Sequence, residues 1–191
     1  MGREIHPATH ARFADVVEML GPKKHPRADA CWCLAYRLGT TTAAKLGVEG
    51  KRDAVEALCR KRRAPGVLAY EGEEVVGWAA VAPRDELAEF GDTETYPGEE
   101  DDFVLFCLRA KAGHRRQGVG QELIDGAVDF ARRHHAPAVV AYPVDTTEKV
   151  DGIFAYPGLR TMFARAGFEM AGGTGASVGG HPRVAMRLGL R

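Results

Sequence analysis

The sequence predicts an α/β (α+β) fold, a mixed sheet with helices packed on it, and three observations support this. The chain has 191 residues, 45% of them apolar, which suits one domain with a substantial core. Short apolar strands and amphipathic helices follow one another along the chain, with no internal repeat and no linker. The run Phe103–Leu108 is continuously apolar, as expected of a central strand covered on both faces.

The first third of the chain is predicted to be mainly helical. Its predicted elements are a strand at 3–6, a helix at 9–20, an apolar stretch of undecided type at 31–38 and a helix at 51–63. Thr9 is placed to cap the first helix, and Gly21-Pro22 is a typical end for it. Pro65-Gly66 ends the second helix in the same way.

The rest of the chain alternates between strands and helices. We predict strands at 67–70 and 75–81 joined by a hairpin loop, a central strand at 103–108 and further strands at 138–142 and 184–188. The predicted helices are a long one at 117–135 and a short one at 157–166. Two segments are predicted as irregular: an exposed acidic excursion at 84–102 and a mobile glycine-rich hairpin loop at 172–180. The long helix has the clearest pattern, because Val119, Leu123, Ala127 and Phe130 form one apolar stripe. Pro157 is well placed at the first position of the short helix.

The overall charge excludes several classes of partner. The chain has 26 basic and 26 acidic residues, so its formal net charge is zero and bulk attraction to nucleic acid or to an anionic membrane is not expected. No apolar run approaches the ~20 residues that a membrane span needs, and the N-terminus has no apolar signal-peptide core. We therefore expect a cytoplasmic protein that binds neither nucleic acid nor membrane.

The charges are unevenly distributed along the chain. Glu71 to Asp102 contains twelve acidic residues and one basic residue, Arg84, whereas Phe103 to His135 contains six Lys or Arg and three acidic residues. Each run is either a solvated surface or part of a site. In the second case the basic segment would face an anionic ligand and the acidic segment a cationic one.

The four cysteines do not form a disulfide scaffold in a chain of this length. Cys31-Trp32-Cys33 allows three interpretations: buried packing residues, lining of a substrate pocket, or a metal or redox site. Positions 31 and 33 would share one face if the segment is a strand. A zinc site needs two further ligands, and no second pair with metal-binding spacing lies nearby, so we expect no metal.

The stretch Leu108–Gln121 joins the central strand to the start of the long helix. Gly118 and Gly120 allow a ligand to approach the backbone, and the first amides of a helix are unpaired and favour an anion. The cations that add to this charge are Lys111, Arg115 and Arg116. We predict a phosphate or pyrophosphate site here, although a solvated helix start is the alternative. The P-loop and dinucleotide fingerprints are excluded, since the Gly-Lys-Ser/Thr end and the third glycine are missing.

The run Arg115-Arg116-Gln117-Gly118-Val119-Gly120 matches the pattern Arg/Gln-x-x-Gly-x-Gly/Ala, and from about Val67 to Leu190 the chain resembles the GNAT superfamily of N-acetyltransferases. The segment Phe163–Phe168 adds to the resemblance, because it resembles the helix of that family that ends in Gly-Phe. The resemblance implies a single, mostly antiparallel, splayed sheet and acetyl-CoA as co-substrate. It also implies one N-acetyltransferase domain over residues 1–191, with an acceptor-side part at 1–65 and an acyl-CoA-binding core at 66–191.

The resemblance assigns roles to individual residues. The amides of residues 116–121 would hold the pyrophosphate, and the backbone of Leu108 and Ala110 would pair with the pantetheine arm. The thioester would then lie beside Ala141 and Tyr142. The full set implied for acetyl-CoA is Leu108, Ala110, Arg115, Arg116, Gln117, Gly118, Val119, Gly120 and Gln121.

The chain departs from the family pattern at the catalytic acid. Many relatives have a Tyr four residues before the Gly-Phe, where this chain has Phe163, which has no proton to give. Tyr156 is the first candidate for a replacement acid and Tyr142 the second, with a purely structural role for Tyr156 as the alternative. No general base stands out; the candidates are Glu73, Glu74, Asp101, Asp102 and Asp145.

The implied activity is transfer of an acetyl group to a primary amine of a small molecule or a peptide. We expect Trp32, Tyr36 and Trp78 to line the acceptor pocket, and an acidic rim there would favour a cationic amine. A non-catalytic acyl-CoA sensor is the main alternative, favoured by the missing hydroxyl at Phe163. A binding module that uses the basic runs is a third hypothesis, and a homodimer is left open.

Overall fold

The computed structural model describes residues 2–23 and 30–190, in which seven strands form one open sheet. The strands are β1 (Glu4–Pro7), β2 (Gly66–Glu71), β3 (Glu74–Pro83), β4 (Phe103–Ala110), β5 (Ala138–Ala141), β6 (Glu169–Val178) and β7 (His181–Gly189). Their order is β1-β2-β3-β4-β5-β7-β6, and β4–β5 is parallel while the other neighbours are antiparallel. The predicted mixed, mostly antiparallel sheet is confirmed, with the continuous apolar strand at its centre.

Helices cover both faces of the sheet. They are α1 (Phe13–Leu20), α2 (Ala35–Leu38), α3 (Thr40–Lys45), α4 (Gly47–Cys59), α5 (Val119–Arg133) and α6 (Arg160–Arg165). The core on one face contains side chains of α1 and α4, and the core on the other face contains those of α5 and α6. None of the described helices is long and apolar enough to cross a membrane.

Helix α5 packs closely on the sheet because β3 contributes a glycine beneath it. A Cβ at Gly77 would lie 2.7 Å from Val119 Cγ1 and 3.0 Å from Leu123 Cδ1. The predicted stripe of Val119, Leu123, Ala127 and Phe130 is fully buried against this face. The first turn of α5 is therefore held directly against the centre of the sheet.

Strand β4 contains a bulge that opens the sheet. The register with β3 shifts by one residue, since Ala80 pairs with Cys107 while Val81 pairs with Leu105, and Phe106 is the extra residue. Beyond this point β4 no longer pairs with β5, whose last partner is Leu105 opposite Ala141. The far half of β4, from Phe106 to Ala110, therefore has no described strand partner on the β5 side, and we call this break in the sheet the gap.

The acidic excursion at 84–102 is more buried than its composition suggests. It contains two short 3-10 helices, and Leu87, Phe90 and Tyr96 pack into the core. Arg84 and Asp102 are also buried. The prediction of an exposed excursion is only partly right, because most of its residues are exposed while its few apolar side chains pack into the core.

Three element boundaries also differ from the predictions. The short helix begins at Arg160 rather than at Pro157, and the helix predicted at 51–63 spans Gly47–Cys59. Most of the glycine-rich stretch predicted as a loop belongs to β6, and the turn lies at Gly179-Gly180. Strand pairing uses backbone groups, so a glycine-rich sequence can still form an edge strand against β7.

Candidate active site

The loop before α5 leaves the backbone at the start of this helix open. Gly118 is the N-cap residue and has φ +86°, and a Cβ there would have no neighbour within 4 Å. The side chain of Gln117 donates to the carbonyl of Gly113 at 2.7 Å, which closes the loop on itself. The first intrahelical bonds come from the amides of Gln121 and Glu122 to the Gly118 carbonyl, so the amides at 119 and 120 precede them.

The charges around this loop are partly neutralised by the protein itself. Lys111 Nζ lies 2.5 Å from a carboxylate oxygen of Glu18 and 2.7 Å from one of Glu74. Hydrogen bonds to these carboxylates raise the pKa of Lys111. His114 lies 3.3 Å from Glu71. The expectation that Lys111 serves an anionic ligand is therefore not supported, and part of the acidic run meets the basic run instead of forming a rim for an amine.

Two exposed arginines remain beside the helix start. Arg115 and Arg116 are both exposed, and Arg116 adopts a left-handed conformation with φ +62°. The guanidinium of Arg115 lies beside Gly152, where a Cβ would approach its Nη1 to 3.2 Å. With the open glycine at 118, these side chains give the loop the space and the charge that a pyrophosphate requires.

The gap beside β4 is lined by the connection between β5 and α6. The amide of Leu108 donates to the carbonyl of Tyr156 at 2.7 Å. The amide and carbonyl of Ala110 face the same side of β4, because polar groups two residues apart in a strand point the same way. The connection is anchored by hydrogen bonds between Val144 and both Gly158 and Arg160. The backbone of Leu108 and Ala110 thus faces the gap, where the Leu108 amide is bonded to Tyr156.

The same connection carries Tyr156, whose hydroxyl pairs with that of Tyr36 on α2. Tyr156 Oη and Tyr36 Oη are 2.7 Å apart, and both side chains are partly exposed. Arg183 Nη1 donates to Tyr36 Oη at 3.3 Å. Because a guanidinium can only donate, Tyr36 accepts from Arg183 and has its own proton available for Tyr156. Burial raises the pKa of Tyr36, so this hydroxyl stays protonated.

Tyr142, the second candidate acid, lies in a different environment. It is 1% exposed, its hydroxyl accepts from Arg84 at 2.5 Å and donates to the Pro97 carbonyl at 2.8 Å. Burial raises the pKa of Tyr142. Its proton is therefore committed to a backbone carbonyl, whereas Tyr156 has no such acceptor for its proton among its described hydrogen bonds.

The remaining candidates for the acceptor pocket are separated by the fold. Trp32 and Trp78 are almost fully buried in the core beneath α1, whereas Tyr36 is partly exposed beside Tyr156. Phe163 is fully buried, with its ring 5.2 Å from that of Phe168. The structure thus brings Tyr36 and Tyr156 together and leaves both tryptophans as core residues.

Three of the five base candidates are already bound to cations. Glu74 contacts Lys111, Asp145 contacts Arg160 at 2.6 Å, and fully buried Asp102 receives two hydrogen bonds of 3.0 Å from Arg187. The hydrogen bond from Lys111 lowers the pKa of Glu74, and the arginines occupy the carboxylates of Asp102 and Asp145. Glu73 and Asp101 are exposed, and no described hydrogen bond or ion pair joins either of them to a residue of the gap.

The Cys31-Trp32-Cys33 segment is a turn rather than a strand, because Trp32 and Cys33 have φ +52° and +56°. Cys33 and Cys107 are buried and share a thiol hydrogen bond, which together with burial raises the pKa of Cys107. In the described part of the chain no three His, Cys, Asp or Glu side chains are grouped as metal ligands. The two buried thiols belong to the core.

Sequence reasoning missed Arg183, the most unusual buried residue near the tyrosine pair. Arg183 is 3% exposed, and its Nε donates to the Tyr142 carbonyl at 2.6 Å. A signal was present in the sequence, since Arg183 precedes buried Ala185 by two positions in β7 and so lies on the same face. An arginine at an inward position of a strand is uncommon and indicates a role for its charge.

The sheet is open at its central strand, and a glycine-containing loop follows at a helix start. This combination is typical of proteins that bind an acyl-CoA. The family model of the acetyltransferase (GNAT) family matches residues 36–151. The match covers more than half of the chain, which therefore belongs to the GNAT family of acetyltransferases. A search of curated proteins finds no match.

Solved structures share the fold at low sequence identity. An N-acetyltransferase from Staphylococcus aureus Mu50 is 13% identical over 100% of both chains, with a TM-score of 0.57. The yncA acetyltransferase from Salmonella typhimurium, solved with its cofactor acetyl-CoA, is 16% identical over 100% of this chain and 95% of that one, with a TM-score of 0.54. The ribosomal-protein-S18-alanine N-acetyltransferase from Escherichia coli is 11% identical over 98% and 94%, with a TM-score of 0.51.

Proposed function

We propose that the protein transfers an acetyl group from acetyl-CoA to the primary amine of a small molecule or a peptide. The observation that carries this proposal is the position of Tyr156. Its backbone carbonyl binds the Leu108 amide in the gap beside β4, and its hydroxyl is paired with that of Tyr36. A proton donor is thus attached to the segment that lines the place where the thioester is expected.

The acetyl-CoA site of this proposal is made of the loop and the gap. Exposed Arg115 and Arg116, with the amides around Gly118, would hold the pyrophosphate, and Leu108 and Ala110 would pair with the pantetheine arm. The arm needs the Leu108 amide that Tyr156 occupies, so the connection before α6 shifts on binding. Residues 1–65 would then form the acceptor side, and residues 66–191 the acyl-CoA-binding core.

The reaction requires the protein to position the amine and the thioester and to donate one proton. The neutral amine attacks the thioester carbonyl carbon, the new C–N bond forms and the C–S bond breaks. The departing thiolate takes the Tyr156 hydroxyl proton, and the amine loses its extra proton to water. Tyr36 then donates to the oxygen of Tyr156 and stabilises the charge left there, with the positive charge of Arg183 behind it.

The experiment compares single hydroxyl deletions in an assay of thiol release with a library of amines. Tyr156→Phe should lower kcat by about a hundredfold, the lower end of the range for a positioned acid, with little change in the KM for acetyl-CoA. Tyr70→Phe is the matched control, because its hydroxyl bonds Asp15 at 2.6 Å on another part of the sheet. Equal kcat for Tyr156→Phe and the wild type would remove Tyr156 from the mechanism.

A non-catalytic acyl-CoA sensor is the second candidate, and one specific observation favours it. Phe163, at the position of the acid in many relatives, is sealed in the core with no hydroxyl. The same library separates the two functions. Tight binding of acetyl-CoA without thiol release for any amine would support the sensor, whereas turnover that depends on Tyr156 supports the enzyme.

A further inference from the structure

Arg183 is a buried cation with unmet hydrogen-bonding capacity. Its Nε donates to the carbonyl of Tyr142, and its Nη1 lies 3.3 Å from Tyr36 Oη and 3.5 Å from Tyr96 Oη. Its Nη2 is buried and has no hydrogen-bond partner within the described residues. A guanidinium has five N–H donors, so the two on Nη2 are the ones left without an acceptor.

The charge of Arg183 also lacks a counterion. In residues 2–23 and 30–190, no carboxylate lies within ion-pair distance of this side chain. Arg187 on the same strand differs, because both of its bonds go to Asp102. Arg84 is also buried without a carboxylate partner among the described residues, but both of its Nη atoms are hydrogen-bonded, to Tyr142 and to the Tyr96 carbonyl. The guanidinium carbon of Arg183 lies 5.5 Å from the centre of the Tyr96 ring, but the N–H groups of Nη2 have no acceptor in the described part of the chain, and buried donors without an acceptor call for a ligand.

The surroundings of Arg183 point toward the acceptor side of the site. Of the three tyrosines that it contacts, Tyr96 and Tyr142 are buried and Tyr36 is partly exposed. Tyr36 is thus the partner of Arg183 that lies nearest the surface, and its hydroxyl bonds that of Tyr156. Two hydrogen bonds link the unpaired guanidinium to the proposed proton donor. A group bound to Nη2 would belong to the same molecule that presents its amine near Tyr156.

We infer that the acceptor carries a carboxylate as well as an amine, and that Arg183 Nη2 binds this carboxylate. The inference rests on the proposed function, because it names the substrate class of the same site. A carboxylate oxygen would accept an N–H group of Nη2 and place a negative charge beside the buried guanidinium. Small amino acids and related amino carboxylates are the class that fits. The acceptor is thus selected by its anion and not only by its cationic amine.

The test uses matched pairs of amines, each an amino acid and its carboxamide, assayed for thiol release at saturating acetyl-CoA. The expected result is a kcat/KM at least about tenfold higher for the acid of a preferred pair, as for a charge-assisted hydrogen bond. Arg183→Gln should reduce that ratio to near one. Arg132→Gln is the matched control, because it removes one positive charge from the exposed end of α5, where Arg132 pairs with Asp129.

The ratio of acid to amide within one variant cancels differences in the amount of folded protein. If Arg183→Gln does not fold, the wild-type ratio alone decides. Amides that react as well as their acids in the wild type would overturn the inference and leave a buried water as the partner of Nη2.

A second readout separates this inference from the proposed function. Calorimetry measures binding of the same amino acids to the protein saturated with CoA. If no amine is acetylated, the proposed enzyme function is wrong. The anion site would still be supported if the amino acids bind to the wild type and to Arg132→Gln but not to Arg183→Gln. Absence of such binding together with absence of turnover contradicts both.

Discussion

Replacing Gly118 by alanine tests whether the loop before α5 is a preformed phosphate site. Gly118 has φ +86°, and a Cβ there would meet nothing within 4 Å, so the change adds backbone strain without a steric clash. A left-handed conformation costs a non-glycine residue about 1–2 kcal/mol. The alanine variant relaxes when the loop is empty and must return to the strained conformation when it binds the pyrophosphate. Acetyl-CoA affinity should therefore fall about 5- to 30-fold.

The matched control for this prediction is Gly47→Ala. Gly47 has φ +65° at the start of α4 and also has open space around its Cβ position, so it carries a similar strain away from the loop. Isothermal calorimetry with acetyl-CoA and thermal unfolding would be measured for both variants. Gly47→Ala should lose stability and keep its affinity. The same affinity for Gly118→Ala, Gly47→Ala and the wild type would refute the assignment of the loop.

Three further predictions concern packing and charge. Asp102→Asn should lower the free energy of unfolding by about 1–3 kcal/mol in urea titrations, because Arg187 loses its two charge-assisted hydrogen bonds. A change within experimental error would show that the ion pair contributes nothing to stability. Burial and nearby arginines lower the pKa of His134, so the unfolded chain binds a proton more readily than the folded protein. The free energy of unfolding should therefore fall as the pH drops below about 6.5. His134→Gln should make this fall less steep, and an unchanged slope would show that another group causes it. Gly77→Val should lower the free energy of unfolding by about 1–3 kcal/mol or more, because the valine side chain would overlap that of Leu123. An unchanged melting temperature would contradict the close approach of α5 to β3.

The sequence predicted the parts of the fold that depend on local pattern. The stripe of α5 and the apolar run of β4 are unambiguous because every turn or residue repeats the same signal. The bulge at Phe106 has no local signature, since it arises from pairing with β3. The glycines of β6 gave no strand pattern in the sequence. This strand forms because its backbone pairs with β7, which does not depend on its own side chains.

The candidate site was only partly predictable from the sequence. The loop at Arg115–Gly120 was found because the motif is contiguous. The pairing of Lys111 with Glu18 and Glu74, and that of Tyr36 with Tyr156, joins residues that are distant in the chain. Charge runs along a sequence do not show which charges meet in space, and so the neutralisation of Lys111 required the fold.

Thiol release and acetyl incorporation with an amine library test the central claim most directly. We predict that at least one amine is acetylated, shown by mass spectrometry as the addition of a single acetyl group, with one CoA thiol released for each product. Tyr156→Phe should slow this reaction while acetyl-CoA still binds. Saturable acetyl-CoA binding without product from any amine, at protein concentrations that match those of the binding assay, would contradict the account.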